Sequence, residues 1–293
     1  MTDESVPGAT KPRPRIMSFA IGLAGGILGL LPWLVGAWTL PDEVPFVVLP
    51  ISQKQSILLF SLVVLGGVFA GLAVHFLGRR RMTAGWPAAL GVALVHLAAV
   101  ALSFSALADL LRLGSDEKDM IYFAGMLAGT LTAVLTAQLG FHMTSSPSPG
   151  VVSVGVALAA VPFATWVGRC VVALAGEGSP PEYVSPLVHW LPAVLVGAAL
   201  VWCGVRPVGR RVVAWVMSLL ALWLVSTLFM VIEFAFETRA LPAGATAREP
   251  VKVLSMVLEE TWFPAVVAFV IALVGTAVRM LVEWGVSRRR DPA

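Results

Sequence analysis

SILLFSLVVLGGVFAGLAVHFLGRRR, residues 56–81, decides the fold. From 56 to 78 the run carries no Asp, Glu, Lys or Arg, and it exceeds the ~20 residues an α-helix needs to cross a hydrocarbon core. It ends in Arg79, Arg80 and Arg81. A long apolar run closed by arginines is the pattern of a membrane helix stopping on the cytoplasmic side.

The same pattern recurs along the chain. Further apolar runs lie at about 16–38, 86–110, 120–141, 151–175, 186–205, 212–236 and 261–284, giving eight expected spans with 56–78. Basic clusters fall at every second gap: Lys11, Arg13 and Arg15 before the first span, the three arginines after the second, Arg206, Arg210 and Arg211 after the sixth, and Arg279, Arg288, Arg289 and Arg290 at the end. These hold 13 of the 20 Lys and Arg. The alternate connections carry acids instead: Asp42 and Glu43, Asp116, Glu117 and Asp119, Glu177 and Glu182, and Glu237 with Glu249, Glu259 and Glu260. Only 142–150, at an expected inner turn, has neither Lys nor Arg. Lys and Arg in short loops set orientation and acids contribute little, so both termini are expected in the cytoplasm.

Composition agrees. Hydrophobic residues make up 58% and charged residues 13% of the chain, and the mean hydropathy is +0.88. Soluble domains carry about 25% charged residues. With basic residues gathered at membrane edges, the pI of 9.2 and net charge of +3 reflect topology, and no nucleic-acid partner is expected. The expected fold is all-α: a polytopic membrane helix bundle of about eight helices. Its single domain spans 16–284, between basic tails at 1–15 and 285–293. Its setting is a plasma membrane, and the preference for Ala, Val, Leu, Gly and Arg over Ile and Lys suggests a bacterium of high GC content. A signal-peptide reading of the first span, with Val35-Gly36-Ala37 as a loose cleavage site, conflicts with a run longer than the 7–15 residues of such segments.

Two finer features are expected. Residues 250–260 place Val251, Leu254, Val257 and Leu258 at helical spacing, either a short interfacial helix or an early start to the last span. Spans 1–4 (16–141) and 5–8 (151–284) suggest a weak 4+4 repeat, with the arginines after span 2 matching those after span 6 and Pro32 loosely matching Pro162.

Depth in the membrane sorts the polar residues, because ionisable groups near the midplane are costly and usually functional. Arg169 lies roughly 27 Å into span 5 and Glu233 roughly 31 Å into span 7, both near the outer boundary. Asp109, His189 and Glu237 join them there, giving a candidate outer-face polar cluster of Arg169, Glu233, Glu237, His189 and Asp109. Within it Arg169 and Glu233 either pair across spans 5 and 7 or snorkel independently. His96 alone falls near the midplane, about 15 Å into span 3. It reads as a proton relay, a metal or haem ligand, or a histidine hydrogen-bonded to a neighbouring helix. His75 and His142 are at similar depth but near the inner edge, a poor place for a bis-histidine haem. No cofactor or metal is therefore expected.

Small residues speak to packing. Gly22/Gly26, Gly25/Gly29, Gly67/Gly71 and Gly125/Gly129 are G-x-x-x-G pairs, which permit close helix contact within one chain or between chains. Pro162 and Pro192 lie inside spans 5 and 6 and should kink them or break their hydrogen-bond ladders. Cys170 and Cys203 fall near opposite faces, too far apart for a disulfide. G-x-x-x-x-G-K-[ST], H-E-x-x-H, G-x-S-x-G and C-x-x-C do not occur, and no catalytic residue is assigned. Three functions fit: a non-catalytic subunit or scaffold held by membrane-protein partners in the lipid bilayer, a permease-like protein for an apolar or lipid-like solute, or a lipid-modifying enzyme at the outer face.

Overall fold

The computed structural model describes residues 15–37, 48–81, 85–111, 117–175, 184–205, 208–237, 257–259 and 261–290. Among these there is no strand. The helices are α1 (Arg15–Ala37), α2 (Ser56–Arg81), α3 (Gly85–Leu111), α4 (Glu117–Thr144), α5 (Pro149–Ala175), α6 (Val184–Cys203), α7 (Val208–Glu237) and α8 (Phe263–Arg290), with one 3-10 turn (Gln53–Gln55) leading into α2. Seven of them are long and apolar enough to cross a membrane, and α6, apolar over Val188–Cys203, is shorter. The chain is thus a multi-pass helix bundle of the membrane type.

The helices overrun the apolar runs because the backbone ladder does not stop at the hydrocarbon edge. The clearest case is α8, which continues to Arg290, six residues past the end of its apolar run at 284. Arg279 and Glu283 pair on its flank at 2.9 Å in i,i+4 spacing. Helix α6 is stopped by Gly204, whose φ of +72° favours glycine and whose N–H closes back on Leu200 O at 3.0 Å. Most of the 250–260 segment lies outside the described residues, so the interfacial-helix expectation does not meet a structure there. Pro162 and Pro192 sit within helices assigned without a break.

Each half of the chain packs its four helices in the same order. In the first, the extensive contacts are α1 on α2, α2 on α4 and α1 on α3, with lesser ones between α3 and α4 and between α2 and α3. In the second they are α5 on α6, α6 on α8 and α5 on α7, with lesser ones between α7 and α8 and between α6 and α7. The halves meet through α5, which lies chiefly against α2 and then against α4 and α1. At that seam Val64, Leu65, Val68 and Ala159 are buried, and Phe69 meets Phe163 and Trp166 edge-on at 6.1 and 5.4 Å. Helix α2 is the hub, with 67% of its apolar stretch buried against 17% for α8.

Glycine makes these contacts close. A methyl on Gly25 would lie 2.6 Å from Ala70 Cβ, and one on Gly29 would lie 2.5 Å from Gly66 N. Gly22 abuts the backbone of Ala88, Gly26 the side chain of Val95, Gly67 the backbone of Ala137, and Gly71 both Phe141 and Thr144. Three of the four G-x-x-x-G pairs therefore serve packing inside the chain. Most hydroxyls in the spans bond within their own helix, as Thr130 does to Met126 O and Ser226 to Leu222 O, both at 2.8 Å.

Candidate functional site

The expected outer-face cluster does not assemble around one point. Arg169, on α5, is half-buried and turns to α1, its guanidinium 5.7 Å over the ring of Trp33. Its Nε is buried without a hydrogen-bond partner. Glu233 is exposed on α7, and no ion pair joins it to Arg169. Helix α5 presents Arg169 to α1 because Trp166, one turn earlier, is anchored there: its Nε1–H donates to Gly29 O at 3.0 Å. Asp109 is exposed near the end of α3, and His189 is exposed on α6 with its ring edge-on to the adjacent Trp190. Glu237 is the last residue of α7, and its side chain lies outside the described residues.

His96 is 1% exposed and sits where α1, α2 and α3 converge. A methyl on Gly66 would lie 2.6 Å from His96 Nε2 and 3.1 Å from Gly26 Cα. Neither ring nitrogen has a hydrogen-bond partner, so the neighbouring-helix bond expected of a structural histidine is not made. The close approach of Gly66 and Gly26 fills the space a ligand would need on that side. His75 is anchored differently, with Nδ1 on Ser146 O at 2.8 Å and its ring against Trp202, whereas His142 is exposed. Among the described residues no group of three or more His, Cys, Asp or Glu is placed to hold a metal ion. Both cysteines are free thiols.

The concave site lies elsewhere. A groove of about 530 Å³ opens between the first turns of α2, the first half of α4 and the last third of α7. Its volume falls in the ~300–1,000 Å³ range of small-molecule sites. Phe60, Ile121, Met126, Leu228, Phe229 and Ile232 supply apolar wall. Phe60 and Phe229 meet edge-on at 6.1 Å and brace α2 against α7. Polar groups are few: Gln53 and Ser56 at the acid-rich end, Tyr122, and Thr130, whose hydroxyl is already spent on Met126 O.

Gly125 and Gly129 form one side of this groove, and a methyl added at either would meet nothing within 4 Å. Among the described residues, the fourth G-x-x-x-G pair therefore faces open space and not another helix. The motif is visible in the sequence, but nothing there separates it from the three that pack, because the distinction rests on which helix each pair faces. The groove has no charged side chain, so depth in the membrane gives no sign of it.

Comparison with protein-family models, with curated proteins and with solved structures returns no match for this chain.

Proposed function

We propose that this protein is a permease-like membrane protein that accommodates an apolar or lipid-like solute in the groove between α2, α4 and α7. The observation that carries the reading is the bare Gly125/Gly129 face. Two glycines one turn apart lower the wall of α4 by two side chains, and no described helix fills the space. An apolar chain lying there contacts Phe60, Met126 and Phe229, while Gln53 and Tyr122 remain for a polar head, the Ser56 hydroxyl being bonded to Gln53 O at 2.8 Å.

The orientation goes with this reading. We place the acid-rich end, and so the groove, outside, and both termini in the cytoplasm of a bacterial plasma membrane, following the Lys/Arg bias. Helix α6 counts as the eighth span, since 20 residues rise about 30 Å. The matched packing order supports reading 16–141 and 151–284 as a tandem repeat. Gly71 against Phe141 and Thr144 has its counterpart in Gly197 against Ala268 and Ile271, the same i,i+3 seat on the fourth helix of each half.

Reconstitution tests the function. The chain in liposomes is expected to accelerate movement of a pyrene-labelled phospholipid, and Gly125→Leu, whose Cβ meets nothing within 4 Å and whose remaining atoms project into the groove, is expected to abolish that movement while the protein still folds. Equal flux from the wild type and Gly125→Leu sinks the reading. A second reading, a subunit of a larger complex, is favoured by α8, which among the described helices packs chiefly on α6 and then on α7 and exposes Phe269, Leu273 and Leu281. A stoichiometric partner retained after mild extraction would support it.

A further inference from the structure

The basic end of the bundle holds a second cleft, of about 1,140 Å³, bounded by the last turn of α6, the first turn of α7 and the second half of α8. Trp202, Met280, Leu281 and Trp284 give it apolar wall at the membrane edge, where tryptophan is favoured. Two arginines line it. Arg279 is already committed: Nε pairs with Glu283 at 2.9 Å, and Nη1 donates to the carbonyls of Val201 and Trp202 at 3.3 and 3.4 Å, tying α8 to the end of α6. Arg211 is not. Its one hydrogen bond, from Nη1, goes to Cys203 Sγ at 3.0 Å, and sulfur is a weak acceptor. Among the described residues Arg211 has no carboxylate partner. A third group also lacks its complement. Thr276, on α8, is 5% exposed and lines the cleft, and its Oγ1 is buried with no hydrogen-bond partner.

An uncompensated guanidinium and an orphaned hydroxyl on facing helices, above an apolar wall, match one ligand chemistry: a phosphodiester monoanion carrying acyl chains. We infer that this cleft binds the headgroup of an anionic phospholipid, with the phosphate on Arg211 and Thr276 and the chains along Met280, Leu281 and Trp284. The phosphate accepts charge-assisted bonds from Arg211 and a hydrogen bond from the hydroxyl of Thr276, so both groups gain the partner they lack. Basic pockets between membrane helices on the cytoplasmic side suit anionic headgroups, and this cleft lies at the arginine-rich end. It shares no residue with the α2–α4–α7 groove and lies at the opposite end of the bundle, so the two assignments stand or fall separately.

Native mass spectrometry of the full chain, released from nanodiscs of equimolar phosphatidylglycerol and phosphatidylcholine, tests this. The wild type is expected to retain one phosphatidylglycerol about tenfold in preference to phosphatidylcholine. Arg211→Gln is expected to lower that retention by roughly tenfold or more, the worth of a hydrogen bond to a charged group. Thr276→Val keeps the shape of the side chain and is expected to lower it roughly fivefold. Equal retention of the two lipids, or wild-type retention in both variants, overturns the inference. So does release of the lipid by millimolar inorganic phosphate, which would mark a soluble-anion site, or a second copy of the chain bound in place of lipid.

Discussion

One motif occurs four times in this chain, and the structure assigns opposite signs to the same substitution in two of its copies. Gly67→Ala adds a methyl where α2 meets the Ala137 backbone of α4, well inside van der Waals distance. The obstacle is a main-chain carbonyl, so no rotamer change relieves it and the helices must part by about an ångström. Over-packing of this kind costs typically ~1–3 kcal/mol. A gap of ~0.5–1 Å also forfeits a quarter to a half of the dispersion between the facing atoms, and these include the fully buried Ala133, Ala137 and Phe141. Alanine returns up to about 1 kcal/mol of helix propensity. The net expectation is a loss of roughly 2 kcal/mol.

Gly125→Ala meets nothing within 4 Å, so only the propensity term remains and the variant is expected to gain up to about 1 kcal/mol. Equilibrium unfolding in mixed detergent micelles, followed by far-UV circular dichroism, measures both. A spread of about 3 kcal/mol with opposite signs is expected. Two variants shifted alike, in either direction, would refute the placement of the two glycines and with it the groove on α4.

Further outcomes follow from single contacts. Trp166→Phe removes the indole bond to Gly29 O and should cost about 1 kcal/mol, read in the same unfolding assay. A double-mutant cycle on Arg169 and Glu233 should give no coupling, whereas one on Arg169 and Trp33 should give about 0.5–2 kcal/mol; coupling in the first and none in the second would restore the ion pair and remove the cation–π contact. His96→Leu should leave stability unchanged or raise it, because both ring nitrogens are buried without partners; a loss of lipid movement in a variant that still folds would give the histidine a function. Val68→Ala should cost roughly 1 kcal/mol of packing, and Val194→Ala, which faces lipid, close to none.

The fold class was legible because lipid imposes it. Hydrocarbon tolerates only satisfied backbones, so apolar length marks helices one by one, and the ends found by hydropathy fall close to those of the structure everywhere except at the end of α8. The miss there is physical, since Arg288, Arg289 and Arg290 end the apolar pattern without ending the helix. Rotation of each helix about its own axis was not legible. In lipid both the buried and the exposed face are apolar, and the amphipathic stripe that orients a helix in water is lost. Helix α2 is an example: apolar all round, it gives no sign that Val64 and Val68 meet α5. The same blindness hid the turn of Arg169 toward Trp33 and the open face of Gly125 and Gly129. Both sites the structure brings forward are concavities, and a concavity depends on which helices diverge, which is set by packing and not by any one segment.

The seam between the halves adds a last constraint. If a two-fold axis related them, α1 would lie on α6 as α5 lies on α2. Yet α1 with α6 is not among the packed pairs of described helices. The contact is head-to-tail, and its consequence is visible residue by residue. Setting 67–78, GVFAGLAVHFLG, on 193–204, AVLVGAALVWCG, matches Val68 with Val194, Gly71 with Gly197, Ala73 with Ala199 and Gly78 with Gly204. Gly71 and Gly197 are both buried in helix contacts, yet Val68 is 4% exposed and Val194 is 48% exposed. The difference lies in the neighbours: α5 covers α2 at Val68, while no described helix covers α6 at Val194. Like sequences thus acquire unlike surroundings, and the two clefts inherit that asymmetry. The groove at the acid-rich end uses α2 and α4 of one half with α7 of the other, while the cleft at the basic end is built from α6, α7 and α8, with only Pro149 of α5 at its edge. The lipid handling proposed above calls for two unlike sites, one at each end of the bundle, and the one-sided contact of α5 with the first four helices leaves room for both.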